Sequence, residues 1–118
     1  MITIDLAFRH DDAEKFRADF TDTVDVTRTG SKVMAVSKTV GTTVVTIPLS
    51  DLASPGYAFV KNVGASGTID FGFNDGTQRS LMSLQPGQFG VFPVKPGLTL
   101  GAVATQAGCE LFVLIYEA

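Results

Sequence analysis

Hydrophobic and polar residues alternate with a period of two along most of this chain. Ile2, Ile4, Leu6 and Phe8 alternate with Thr3, Asp5, Ala7 and Arg9. Phe16, Ala18, Phe20, Val24 and Val26 then share one parity, while Lys15, Arg17, Asp19, Thr21, Thr23, Asp25 and Thr27 share the other. Successive strand side chains point to opposite faces, so the pattern predicts strands with one buried and one solvated face. The first strand is read as Ile2–Phe8, followed by a polar turn at residues 9–13 that carries His10, Asp11 and Asp12. A helix over residues 11–20 competes with the second strand, because Asp11 offers a cap and Phe16 and Phe20 sit one helical turn apart. The alternation runs on to Thr27, with Asp22 as its one polar residue on the apolar parity after Phe16, which favours the strand.

Turn signals divide the rest. Arg28-Thr29-Gly30-Ser31 precedes a strand over residues 32–40, and Val45, Ile47 and Leu49 alternate before Pro48 marks a sheet edge or strand end. Residues 51–56, with Pro55-Gly56, read as a loop. Tyr57-Ala58-Phe59-Val60 is apolar on both parities and predicts a central strand covered on both faces. Residues 62–67 are small and polar, a loop. Ile69, Phe71 and Phe73 form an inward row, and Asn74-Asp75-Gly76 is a hairpin signal. Strands follow over 77–84, at Phe89-Val91-Phe92, over 98–105 and over 109–117, separated by turns at Gln85-Pro86-Gly87, Lys95-Pro96-Gly97 and Gln106-Ala107-Gly108. The last run, Leu111-Phe112-Val113-Leu114-Ile115-Tyr116, is too apolar for a solvated edge, so it lies mid-sheet or under a second subunit. The expected fold is all-β: one antiparallel β-sandwich or jelly roll of about nine short strands. No repeat, linker or shift of composition divides residues 1–118 into more than one domain.

Composition narrows the function classes. Hydrophobic content is 45% and charged content 18%, which excludes a disordered tail, and 118 residues suffice for one core without staples. No apolar run approaches the roughly 18 residues of a membrane helix. The start lacks the basic and continuously apolar pattern of a signal peptide, so synthesis and use in a cytoplasm, or release from one, are expected. The net charge of −3 and nine scattered basic residues argue against nucleic acid as a partner.

Chemistry is mostly missing. His10 is the single histidine, and a triad or metal site needs further convergent groups; a solvated turn residue is the better reading. Asp5, Asp19, Asp22, Asp25, Asp70 and Asp75 are spread over strands and turns, the expected dress of a wet sheet face. Gly64-Ala65-Ser66-Gly67 lacks the Lys-Ser/Thr ending and the following helix of a phosphate loop. Cys109, the single cysteine, is read as a small core residue. Phe71, Phe73, Phe89 and Phe92 are assigned to inward rows, as core rather than stacking platforms. The turn rhythm from Leu84 to Gly97 is that of a cupin barrel, but the metal-binding histidines of cupins are absent from residues 31–108, leaving at most an empty jelly roll. Neither an enzyme nor a cofactor protein is expected.

Gly56-Tyr57-Ala58-Phe59-Val60-Lys61-Asn62, Ile69-Asp70-Phe71-Gly72, Leu84-Gln85-Pro86-Gly87-Gln88-Phe89 and Pro96-Gly97-Leu98-Thr99-Leu100 occur in that order, ahead of the closing strand. This order resembles the small β-sandwich and jelly-roll virion proteins of tailed bacteriophages, including capsid decoration (cement) proteins. The resemblance covers residues 41–118, and Pro93 stands where a plain strand residue is usual. It implies a structural virion protein made in the host cytoplasm and bound to the outside of the capsid lattice. Its implied partners are the major capsid protein or another virion protein, and further copies of itself, a trimer by analogy. No catalytic residue is implied. A tail or neck adaptor or fibre component fits the same features. A non-catalytic glycan- or small-molecule-binding sandwich, with Tyr57, Asn62 and Asn74 at its rim, is the reading from another class. The candidate protein interface is the row Ile2, Ile4, Leu6 and Phe8, since terminal strands often add to a neighbour; the competing reading turns that row to its own core.

Overall fold

The alternation is realised as ten strands: β1 (Ile2–Phe8), β2 (Phe20–Val26), β3 (Val33–Val40), β4 (Val45–Ile47), β5 (Pro55–Asn62), β6 (Ile69–Asn74), β7 (Gln78–Leu84), β8 (Phe89–Pro93), β9 (Leu100–Ala104) and β10 (Cys109–Glu117). The computed structural model describes residues 2–8, 20–26, 33–49, 52 and 55–117, and within β1 and β2 the side chains of Thr3 and Asp5 alone, both exposed. Of the competing helix over residues 11–20, Phe20 stands in β2 and residues 11–19 lie outside the described residues, as does His10; among those described there is no helix.

β1 and β2 pair antiparallel as a two-stranded ladder, which among the described residues shares no strand pairing with the others. The other strands form two four-stranded antiparallel sheets, sheet I with order β3-β10-β5-β8 and sheet II with order β4-β9-β6-β7. The chain makes them by doubling back on itself once. β6 pairs with β7 around the Asn74–Thr77 turn, β5 pairs with β8, β4 with β9, and β3 with β10. One long hairpin is therefore rolled up, and the roll is closed by β10 pairing with β5 and β9 with β6. Nested pairs distributed alternately over two sheets are the winding of a jelly roll.

Alternation decides which side chains meet between the sheets. Along β10 every odd residue from Cys109 to Glu117 is buried and every even residue is half-buried. Val60 and Ala58 on β5, Ile69 and Phe71 on β6, and Leu100, Ala102 and Ala104 on β9 complete the core with Val40, Ile47 and Leu84. Each large aliphatic or aromatic side chain so buried stabilises the fold by about 1.5–3 kcal/mol. Phe92 packs on this cluster, its ring centroid 6.0 Å from that of Phe71. Gly76, at φ 105°, and Gly87, at φ 86°, occupy the left-handed backbone region in the turns after β6 and β7.

Several expectations need correction. Pro55 and Gly56 belong to β5, not to a loop; proline is tolerated there because it opens the strand. β5 is central, between β10 and β8, but only its Ala58, Val60 and Asn62 parity is covered. Phe89 is 58% exposed on the outward parity of β8, so it is not part of an inward row. The last strand lies mid-sheet, as one of its two readings required, and β4, just before Pro48, is an edge.

Candidate functional site

A sandwich requires one apolar face per sheet, and sheet I has two. Its outward residues follow from the registers. Ser37, Phe112, Lys61 and Phe89 make one rung across β3, β10, β5 and β8; Ala35, Leu114, Phe59 and Val91 make the next. Beyond these, Val33 is paired with Tyr116 and Tyr57 with Pro93 at one end, and Thr39 with Glu110 at the other. Phe59 stacks on Phe89 with centroids 5.7 Å apart and meets Phe112 edge-on at 6.4 Å. Three rings thus run across three neighbouring strands. The central residues of the face are half-buried by their neighbours, while Val33, Phe89 and Val91 on the flanking strands are exposed. Lys61 and Glu110 are its charged members, and Glu110 accepts a hydrogen bond of 2.9 Å from Thr39 Oγ1. Lys61 stands inside this surface, between Phe112 and Phe89, and the rest of its centre is apolar, which makes it the candidate contact surface of the molecule.

Sequence reasoning missed this face because it assigned Phe89 inward and covered β5 on both sides. The available signal was the apolar character of both parities in β5 and β10. The expected interface row lies elsewhere: Ile2, Ile4, Leu6 and Phe8 are on β1, where the backbone pairs them with Val26, Val24, Asp22 and Phe20. Their side chains lie outside the described residues.

The rim expected for a sugar or small molecule does not assemble. Asn62 is fully buried and its amide is spent on structure. Its Nδ2 donates to the carbonyls of Leu84 at 2.9 Å and Gly67 at 3.1 Å, and its Oδ1 accepts from Gly64 N at 3.1 Å. Its backbone joins the next turn as well, donating to Gln88 O at 3.0 Å and accepting from Gly87 N at 2.8 Å. Because β5 belongs to sheet I and β7 to sheet II, this side chain clasps the two sheets at one end. Tyr57 is on the outer face of sheet I, whereas Asn74 closes the β6–β7 turn of sheet II, its Oδ1 accepting from Gly76 N at 3.0 Å.

Cys109 is fully buried, as expected of a core residue, with Sγ 3.4 Å from Ser66 O and 3.5 Å from Gln106 O. A side chain at Gly67 would collide with that sulfur, so the glycine there is a packing requirement. A cavity of about 260 Å³ opens between the sheets, lined by Phe71, Met82, Phe92, Leu98 and Leu100 among apolar side chains, with Lys95 its charged one. Among the described residues no three His, Cys, Asp or Glu side chains gather to hold a metal ion. Asp70 is engaged by Ser83, whose Oγ donates to Oδ1 at 2.5 Å, and Asp75 lies 3.5 Å from Arg79 Nε. No family model matches the chain, and no curated protein is similar to it.

Proposed function

We propose that this chain is a structural virion protein of a tailed bacteriophage, a capsid decoration protein that binds the outside of the head. It is made in the host cytoplasm, contacts the major capsid protein or another virion protein, and works as a homo-oligomer without a cofactor. The observation that carries this reading is the second apolar face of sheet I, displayed on a jelly roll. A catalytic protein concentrates its polar groups in a pocket; here the exposed ring of Phe89 and the half-buried ring of Phe59 stack on a sheet surface instead. The fragments that resemble decoration proteins fall on the parts of the roll that define it. Gly56–Asn62 is in β5, Ile69–Gly72 is in β6, and residues 84–89 carry the crossing from sheet II to sheet I. A rigid body of cross-paired strands suits a part present in many copies on a loaded shell.

Immunogold electron microscopy of particles from a lysate of the source, with antibody against this chain, tests the proposal. Regular labelling over the heads is the expected result. Gold confined to tails would move the protein to an adaptor or fibre role, and unlabelled particles would remove the virion reading altogether.

A further inference from the structure

The outer face of sheet I has the size and charge of a contact between identical chains. We infer that this face is covered by a second copy of this chain. The inference rests on reading the chain as an assembly component, and it names the partner of the apolar face.

Size is the first argument. Four strands spaced about 4.8 Å apart and about seven residues long span roughly 19 by 23 Å, or about 450 Å² in projection. The largest apolar patch of an ordinary monomer covers about 300–600 Å² of accessible surface and is often functional, and this face, with Ser37, Thr39, Lys61 and Glu110 as its polar members, falls within that range. Two such surfaces in contact hide about 1,000 Å² once side-chain relief is counted, the least that a specific interface between two chains needs.

Charge is the second. The whole chain carries a formal −3, which opposes self-association in general. The face of sheet I carries one charge of each sign, Lys61 and Glu110, on adjoining rungs of β5 and β10. Copies therefore approach through it without like-charge repulsion gathered at the contact. A strongly acidic or basic partner would be met by a face of one sign. The rings supply anchors: Phe89 is exposed to solvent while still held in place by Phe59, so little side-chain freedom is lost when a second surface covers it.

Sedimentation equilibrium of the full chain, from about 1 to 100 µM, reads the outcome. The intact protein is expected to form a multimer of its 12.5 kDa chain. Phe89→Glu and Val91→Lys, both at exposed positions of β8, are expected to stay folded by far-ultraviolet circular dichroism. Each should weaken association by about 30-fold or more, the loss produced when an interface anchor is replaced by a charge. Ser80→Glu, exposed on sheet II, should leave association unchanged. A single-chain mass throughout the range overturns the inference. So does a multimer that survives both β8 substitutions in folded protein. A single-chain mass would also remove the homo-oligomer from the proposed function, but neither result bears on labelling of virions, so the inference and the capsid location fail separately.

Discussion

The two sheets of the roll share an interior and differ in what they show outside. Sheet I displays Phe112, Leu114, Phe59 and Val91 across its strands. Sheet II displays Asp70, Gly72 and Asn74 along β6, Gly101 and Val103 beside them on β9, Ser80 and Ser83 on β7, and Thr46 on β4. Two glycines face each other there, Gly72 opposite Gly101, and the side chain of Gln78 lies over Gly101. Outside, sheet II carries mostly glycines and small polar side chains, as a solvated antiparallel sheet should, with Leu81, beside the β6–β7 bulge, as its exposed apolar exception at 72%. The interior needs neither pattern, because both sheets bury their other parity. The second apolar face of sheet I is thus not needed to close the core, which is why the inferred contact between copies is placed there.

The comparison is tested hardest where the glycines of sheet II stand. A Cβ at Gly72 would overlap the backbone carbonyl of Arg79 beside the β6–β7 bulge, and backbone there has nowhere to go. Gly72→Ala is expected to cost about 3 kcal/mol of folding stability, read as a lowered midpoint in denaturant titration. If stability is retained, the close approach of β6 and β7 does not constrain that face.

Next comes the clasp that makes the two faces one body. Asn62→Ala removes the amide bonds to Leu84 O and Gly67 O and leaves those carbonyls short of a donor. The expected loss is about 2–3 kcal/mol. Amide hydrogen exchange should rise at Gly64, whose N–H loses its acceptor in Oδ1.

Phe89→Thr probes the outer face of sheet I directly. For the isolated chain, at concentrations too low for association, it should cost about 1 kcal/mol, the worth of one lost aromatic stack on Phe59. A loss several times larger would mean that this ring belongs to the folding core. The smallest effect is expected from Ser80→Val, at an exposed position of sheet II, where stability should change by no more than about 0.5 kcal/mol. Together these two thermal or chemical denaturation curves ask whether either outer face matters to the single chain.

Much of the fold was legible in one dimension. The continuous apolar run of residues 111–116 and the turn signals at Asn74-Asp75-Gly76, Gln85-Pro86-Gly87 and Lys95-Pro96-Gly97 placed strands within a residue or two of where they stand. Burial of Cys109 was legible because a lone cysteine in an otherwise apolar strand is ordinarily a small core residue. The phase of β8 was not. Phe89, Val91 and Phe92 put apolar residues on both parities, and alternation assigns a side chain to a face only when the other parity is polar. The same ambiguity hid the outer face in β5, where apolarity was taken as cover from both sides. Asn62 was misplaced for a different reason: a polar residue at a strand end is ordinarily exposed, and the carbonyl of Leu84 that satisfies it comes from the other sheet.

The sequence by itself determined that this chain would be built of strands, where most of them begin and turn, and that no obvious catalytic constellation was spelled along it. These are local consequences of backbone geometry and side-chain alternation. The tertiary structure decided that β10 lies between β3 and β5, that Asn62 joins two sheets, and that Phe112, Phe59 and Phe89 come together outside one of them. Those facts depend on pairing between residues tens of positions apart. Such pairing is fixed when the hairpin rolls up and the core closes, and no single stretch of residues encodes it.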